Sequence, residues 1–524
     1  MILSDIRVPV SYTRETLEKA VFRAAGKRFR IRSLRILRRS IDARRKPEIH
    51  YVLKLAVNEK DPVLFRMPEA ACPEERKEAA VIGSGPAGLF AAKALSEAGM
   101  RVTVFERGRR VDERRADVEH FFQSGVLDPE SNIQFGEGGA GTFSDGKLNT
   151  RVLDPDGLNA YVLNTFYEAG AGENVLYDAE AHIGTDLLPE VVRNIRNELI
   201  AKGVTFRFST KMTGLTIRDG AVKGIRFIRT DTDAAEEEAV FSRVILALGH
   251  SARDSIRMLK DNGLSMEKKA FAVGVRIEHP QEMITLSQYG TFDYEELGPA
   301  PYKLTAHAAN GRGVYSFCMC PGGSVVNASS EKGRLVINGM SNSKRDGRNA
   351  NAGLVVQVTE ADFPGDDVLS GVCFQEKLEE KAYQALQGKI PVQLLKDFYL
   401  DRLSEGFGEV LPDMKGSYGF ARLSGILPAP VTEALMDGIR AFGRKIKGFD
   451  REDAVLSAIE ARTSSPVRIL RNEDHESSIR GIYPAGEGAG YAGGIVSAAI
   501  DGVRTAKALV EQLNREETWD CSGN

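Results

Sequence analysis

The residues best placed to do chemistry lie in glycine-rich stretches far apart in the chain. The first, residues 79–108, reads AAVIGSGPAGLFAAKALSEAGMRVTVFERG. Its Gly83-x-Gly85-x-x-Gly88 follows a short apolar run and opens a helical pattern, with Leu89, Ala92 and Leu95 at helix spacing and Gly99 as the stop. Residues 101–105 then alternate like a buried strand and end in Glu106 and Arg107. Each part has a physical job in a βαβ unit that binds a dinucleotide. Gly83 permits the tight turn, Gly85 lets the backbone approach a pyrophosphate, and Gly88 lets the helix lie close to the strand. Pro86 and Ala87 open the helix, whose free N–H groups face the phosphates. Glu106, roughly twenty residues on, is read as the acceptor of both ribose hydroxyls. The alternative is a glycine-rich turn in some other α/β fold.

Residues 135–149, FGEGGAGTFSDGKLN, form the second stretch. Glycines this dense cost conformational entropy and make sense where backbone approaches a flat or anionic ligand. No apolar strand precedes them, so this is not a second dinucleotide fingerprint. Gly138, Gly139, Gly141 and Thr142 are expected to contact a flavin ring and pyrophosphate, with Asp145 and Lys147 as polar groups at the flavin edge.

The third stretch, residues 481–502, reads GIYPAGEGAGYAGGIVSAAIDG. A short strand enters Gly486-Glu487-Gly488, and Gly493-Gly494 opens a long helix at Ile495. Glu487 is placed to touch a ribityl or pyrophosphate oxygen, and the helix N-terminus suits negative charge on a reduced flavin. Nothing in NAD needs this element, so the expected cofactor is non-covalent FAD. NAD(P)H is expected only as a transient reductant, because a second strand–GxGxxG–helix–strand–acid sequence is missing. Arg462 is a candidate to polarise a substrate carbonyl or carboxylate, and Tyr491 to donate a proton or to stack. Cys318 and Cys320, at i and i+2 on an expected strand, are a less favoured redox pair, since such neighbours make strained disulfides. No metal site is expected.

The elements that must position these residues follow in order. Residues 1–70 read as a small basic α+β module plus linker. Residues 6–10, 29–39 and 50–57 are expected strands, and Leu17, Ala20, Val21 and Ala24 form one helical face. The module carries about ten more basic than acidic residues, an excess that suits RNA, an acidic protein or an acidic surface of the same chain. It is expected to be separable. Residues 78–255 and 455–524 form the discontinuous cofactor domain, including a helix over 187–199, a hairpin over 215–228 and a strand VILALG that delivers Gly249 and His250. Residues 256–454 read as an inserted substrate or cap domain. Its expected strands cover 271–277, 314–319, 334–337 and 354–358, and its clearest helices 372–386 and 431–446.

Length and composition set the bounds. The 524 residues suffice for two or three domains, 42% are hydrophobic and 27% charged, and the net charge of −3 gives no general attraction to nucleic acid or anionic membrane. Five cysteines at irregular spacing specify neither a disulfide framework nor a zinc site. The start MILSDIRVPV has no basic-then-apolar pattern of a secretory signal, and the longest weakly polar run is broken by charges and glycines. A cytoplasmic enzyme without a membrane span is expected.

RSIDAR (residues 39–44), FGEGGAGTFSDGKL (135–148), GHSARD (249–254), CMCPGG (318–323), EARTSSPVRI (460–469) and YPAGEGAGYAGG (483–494) resemble the uncharacterised FAD-dependent dehydrogenases of bacteria, within the glutathione-reductase-like FAD superfamily. The resemblance spans nearly the whole chain. The expected fold is α/β: a glutathione-reductase-like FAD-binding Rossmann domain with an inserted α+β domain and a small N-terminal α+β module. The resemblance implies FAD binding and redox activity without supplying a substrate. A looser similarity to flavoproteins with a GGGRCN loop transfers no role, because residues 138–142 lack the Arg-Cys pair. The leading expectation is an FAD-dependent oxidoreductase that moves hydride between a small substrate and flavin N5 in the cleft beside residues 256–454. The alternatives are a flavin-dependent RNA-modifying enzyme and an FAD-binding protein acting on a protein partner, or as a homo-oligomer, through the N-terminal module.

Overall fold

The computed structural model describes residues 1–26, 30–60, 64–71, 77–150, 152–291 and 296–522, with side chains up to residue 517. Phe29, at the start of an expected strand, lies outside the described residues. That strand runs over Leu34–Asp42.

The N-terminal module is a three-stranded antiparallel sheet with His50–Val57 between Ile2–Pro9 and Leu34–Asp42. Helix Arg14–Ala25, capped by the Thr13 hydroxyl, supplies Leu17 and Val21 to a small core with Leu53, Leu55 and Val57. The module is docked on the rest of the chain. Arg39 donates to both carboxylate oxygens of Asp178, at 2.6 and 2.9 Å, and its backbone exchanges hydrogen bonds with Tyr177 and Ala179. Its guanidinium also covers the Tyr51 and Tyr177 rings. On the other side Tyr51 donates to the Glu296 carbonyl and Lys46 to that of Ser287. One arginine of the basic strand is thus an internal clamp onto an acidic residue of the same chain. Arg39→Ala is expected to cost the docking about 1.5–3 kcal/mol, since the paired groups are half-buried and charge-assisted. Limited proteolysis reads this as faster release of the module from a protein that otherwise stays folded; an unchanged digestion rate would place the docking energy elsewhere.

The cofactor domain is built on a five-stranded parallel sheet, in the order Ile482–Pro484, Val244–Leu246, Glu78–Ile82, Arg101–Phe105, Thr205–Arg207. Its strands are short and apolar because both faces are covered, one by helices and the other by a β-meander. Helix Pro86–Glu97 lies against the long helix Ile495–Ser522 so closely that a Cβ on Gly502 would meet the Ala87 carbonyl oxygen at 2.1 Å. A meander of Thr210–Arg218, Ala221–Arg229 and Glu237–Val240 packs Met212, Leu215, Ile225 and Phe227 onto the sheet beside Phe105 and Leu246.

The inserted domain centres on a seven-stranded, mostly antiparallel sheet: Thr305–His307, Gly313–Cys320, Asn349–Val358, Phe271–Pro280, Val455–Glu460, Ile390–Leu394, Tyr418–Phe420. Helix Ala429–Gly443 lays Val431, Ala434, Leu435, Ile439 and Phe442 on it at helical spacing. Sheet membership moves one expected boundary. Val455–Glu460 is buried on both faces between Phe271–Pro280 and Ile390–Leu394, so the chain leaves the inserted domain after residue 460 rather than at 455. The two bodies are then joined by Met266–Lys268 pairing antiparallel with Val467–Ile469. The strand expected over 334–337 instead covers Ile337–Ser341, because the Arg334 side chain turns out to Glu331, Glu376 and Glu380.

Candidate functional site

The parallel sheet ends its first strand at Ile82, and the chain turns sharply there. Gly83 holds φ +102° with no room for a side chain, since a Cβ would meet the Ala247 oxygen at 2.3 Å. A Cβ on Gly88 would meet the Gly83 oxygen at 1.9 Å. Gly85 differs: a Cβ there would find only the Gly139 Cα, at an ordinary 3.7 Å. It is the N-cap of helix Pro86–Glu97, and no side chain caps the first-turn N–H groups. Gly83, Gly85, Pro86 and Ala87 line one cavity of about 250 Å³ together with Gly139, Gly141, Gly249, His250, Glu487, Gly493, Gly494 and Ile495. Three distant glycine-rich stretches therefore converge as the sequence predicts.

The residues that line the cavity suit a dinucleotide cofactor in their chemistry. A Cβ on Gly249 or Gly493 would meet nothing within 4 Å, so these glycines leave open space where backbone can approach a ligand. The His250 ring pairs through Nδ1 with Glu487 at 3.1 Å, while its buried Nε2 has no partner among the described residues. An orphaned polar atom on a cavity wall is a place for a ligand's hydrogen bond.

Glu106 lines the cavity, yet its carboxylate is already engaged. One oxygen accepts from the Ser84 N–H and hydroxyl at 2.9 and 2.8 Å, the other from the N–H groups of Gly108 and Gly136 at 2.9 and 3.0 Å. Burial of this carboxylate demands such donors. Glu106 ties three loops together, which corrects the expectation of a carboxylate free for ribose hydroxyls. Arg107 also lines the cavity, but Glu130 and Asp254 take its guanidinium and the Phe135 ring lies under it at 4.0 Å. Gly88, Gly138, Thr142 and Gly486 stand behind the lining. A Cβ on Gly138 would strike Thr142 Oγ1 at 2.1 Å, and the Gly486 N–H donates to Asp501 at 2.7 Å.

The four residues expected to do chemistry fare less well. Asp145 is buried and bidentate to Arg345, and Lys147 donates to the Met319 carbonyl; neither lines the cavity. Burial pushes the Asp145 carboxyl up, but Arg345 and Lys147 outweigh it and hold it below its usual range. This pair fastens the glycine-rich loop to the inserted domain. Tyr491 is also outside: its hydroxyl donates to the Ile469 carbonyl at 3.1 Å and its ring lies under Arg471 at 3.7 Å. Arg462 does reach the wall, with every donor nitrogen engaged by Glu379, Ser330 and Glu331. It is a structural cation rather than a free one.

The facing wall holds what sequence reasoning passed over: Phe317, Asn338 and Glu460 of the inserted domain and Thr463 just after it, beside Cys318. Behind them Arg276, wholly buried, donates to Glu460 at 2.7 Å, to Asn351 and Asn338, and to the Cys318 carbonyl at 3.3 Å. Burial first, and the Cys318 sulfur next to it, push the Glu460 carboxyl up to about 7, with Arg276 opposing. The sequence signal was available. An arginine within the apolar strand FAVGVRIEHP requires a buried acidic partner. Among the described residues no cluster of His, Cys, Asp and Glu is arranged for a metal ion.

Three family models match the chain: "FAD-dependent protein, C-terminal domain-like" over residues 270–463, an NAD(P)-binding Rossmann-like domain over 81–120, and a domain of unknown function over 1–58. An uncharacterised protein of Clostridium beijerinckii is 45% identical over 506 residues, covering 92% of this chain and 93% of that one. Among solved structures, a flavin-dependent brominase is 12% identical over 83% of this chain and 79% of its own, with a TM-score of 0.39. The glycine oxidase of Geobacillus kaustophilus is 11% identical over 83% and 94%, with a TM-score of 0.32. The chain belongs to the family of the Clostridium protein and is an FAD-binding flavoprotein, with FAD as its cofactor.

Proposed function

We propose that the protein is an FAD-dependent oxidoreductase whose small-molecule substrate is held between the cofactor domain and the inserted domain. One observation carries this reading: a single cavity is walled on one side by the three glycine-rich stretches and on the other by Phe317, Cys318, Asn338, Glu460 and Arg462. Bound FAD supplies two-electron exchange at its ring. The protein's part is to hold and surround it. Gly85, Gly139 and the open N-terminus of helix Pro86–Glu97 take the pyrophosphate, His250 Nε2 offers its unpartnered nitrogen, and Gly493, Gly494 and the start of helix Ile495–Ser522 take the ring's polar edge. Glu460, poised near neutrality, is the group on the facing wall suited to give or take a proton.

The strand–GxGxxG–helix unit occurs once and its place is taken by the FAD adenosine, so NAD(P)H visits transiently if it reduces the enzyme at all. Among the described residues no helix is long and apolar enough to cross a membrane. Heat release and chromatography are expected to yield FAD, and an anaerobic screen of small substrates is expected to bleach it. FMN as the released species, or a sub-micromolar NAD(P)H site on the FAD-loaded protein, would overturn the assignment.

A further inference from the structure

The strand Gly313–Cys320 is irregular where it meets the cavity. Its register against Asn349–Val358 runs normally to Phe317, then slips and resumes at Cys320, leaving one extra residue between. Cys318 takes up the bulge with φ +41°, a left-handed conformation that a non-glycine residue enters only under constraint. Bulges of this kind re-aim a side chain. Here the outcome is a thiol on the cavity wall, with Cys320 fully buried behind it and its Sγ 3.4 Å from the Cys318 carbonyl oxygen. The strain expected of a disulfide between i and i+2 presupposes a regular strand, and this segment is not one. Among the described residues no other cysteine lines the cavity.

We propose that Cys318 and Cys320 form a dithiol–disulfide couple that exchanges two electrons with the flavin held in the same cavity, a proposal that rests on the FAD reading above. In the oxidising direction the Cys318 thiolate and the Cys320 thiol form the Cys318–Cys320 S–S bond, and the Cys320 S–H bond is given up. The two electrons and that one proton would pass to the oxidised flavin, and Glu460, which shares Arg276 with Cys318, is the neighbouring group that can carry the proton. The surroundings favour Cys318 as the thiolate partner. The neighbouring Cys320 thiol first, then Arg276 and Lys147 against the opposing burial, bring its thiol down, while the same neighbour and burial push Cys320 well up. Because Cys318 alone faces the cavity, it is the sulfur that an incoming thiol or disulfide substrate would meet.

The test counts thiols and electrons separately. After diamide treatment and removal of the reagent, denatured wild-type protein is expected to show two thiols fewer than its five cysteines, with Cys318 and Cys320 in one cross-linked peptide. Anaerobic dithionite titration is expected to require twice the reducing equivalents per flavin in the diamide-oxidised wild type as in Cys318→Ser. Cys320→Ala, which keeps the cavity thiol, is expected to trap glutathione from its disulfide as a mixed disulfide on Cys318, a readout independent of bound flavin. Five free thiols with equal reducing equivalents in wild type and Cys318→Ser, or no glutathione on Cys320→Ala, would overturn the couple. A yellow protein with five thiols would overturn the couple and leave the flavin reading standing, whereas a colourless preparation would overturn the flavin reading itself.

Discussion

Gly85→Val is expected to fold and lose its flavin, whereas Gly88→Val is expected to lose the fold. The two glycines belong to one fingerprint and are three residues apart, yet they meet different surroundings. A Cβ on Gly88 would lie 1.9 Å from the Gly83 oxygen and 3.0 Å from its carbonyl carbon. Neither atom can retreat without opening the turn between strand Glu78–Ile82 and helix Pro86–Glu97. Overpacking a core costs about 1–3 kcal/mol when side chains can move, and more when the obstacle is backbone. At Gly85 the nearest protein atom would be a comfortable 3.7 Å away, and φ −71° suits any residue. The space beyond belongs to the cavity, so a valine there obstructs ligand and not protein. Thermal melts should leave Gly85→Val close to wild type while the visible flavin absorbance per protein falls at least about tenfold, which takes a loss of more than about 1.4 kcal/mol of binding. Retained flavin in Gly85→Val would remove the pyrophosphate from this loop.

The contrast also marks what the sequence made legible. Local constraints were readable: the turn at Gly83, the helix from Pro86 and the parallel strands on either side are set by residues within a few positions of one another. Convergence of the three glycine-rich stretches was readable too, because each has a shape that makes little sense alone. What failed were inferences about where a polar side chain spends its hydrogen bonds. Asp145 looks free in FSDGKL until Arg345, two hundred residues away, arrives beside it. Glu106 looks like a ribose ligand until Ser84, Gly108 and Gly136 fill both its oxygens. Burial of a charged group forces such partners to exist, but nothing in the sequence says which they are. The bulge at Cys318 was hidden for a related reason. Alternation fixes the face a residue takes only while the register runs unbroken.

Glu379→Gln is expected to produce the largest loss of stability among single changes away from the cofactor site. Glu379 is wholly buried on helix Ser370–Leu386 and accepts bidentate pairs from two arginines: Arg253 at 2.6 and 2.9 Å, and Arg462 at 2.9 and 2.7 Å. Arg253 opens a helix next to the cofactor domain, and Arg462 starts the segment that returns to it, so one carboxylate joins three parts of the chain. Neutralising it leaves two buried guanidiniums facing Glu331, half-buried and shared between them. Removing one member of a buried ion pair costs roughly 3–5 kcal/mol, because the remaining charge stays desolvated. The pH dependence gives a second, independent reading of the same quantity. Despite burial, Arg253 and Arg462 hold the folded carboxyl down to about 2, below its ordinary 4.5. A depressed carboxyl contributes stability that is fully present above the unfolded value and is lost as pH falls through the folded one. The gap is worth about 3 kcal/mol at about 1.4 kcal/mol per pH unit. Other carboxylates titrate in this window, so the informative quantity is the difference between wild type and variant. That difference should be constant above about pH 5 and shrink as pH falls from there toward 2, measured by melting temperature in matched buffers. A difference that stays level across the acid range would mean that the Glu379 charge is not what joins the inserted domain to the cofactor domain.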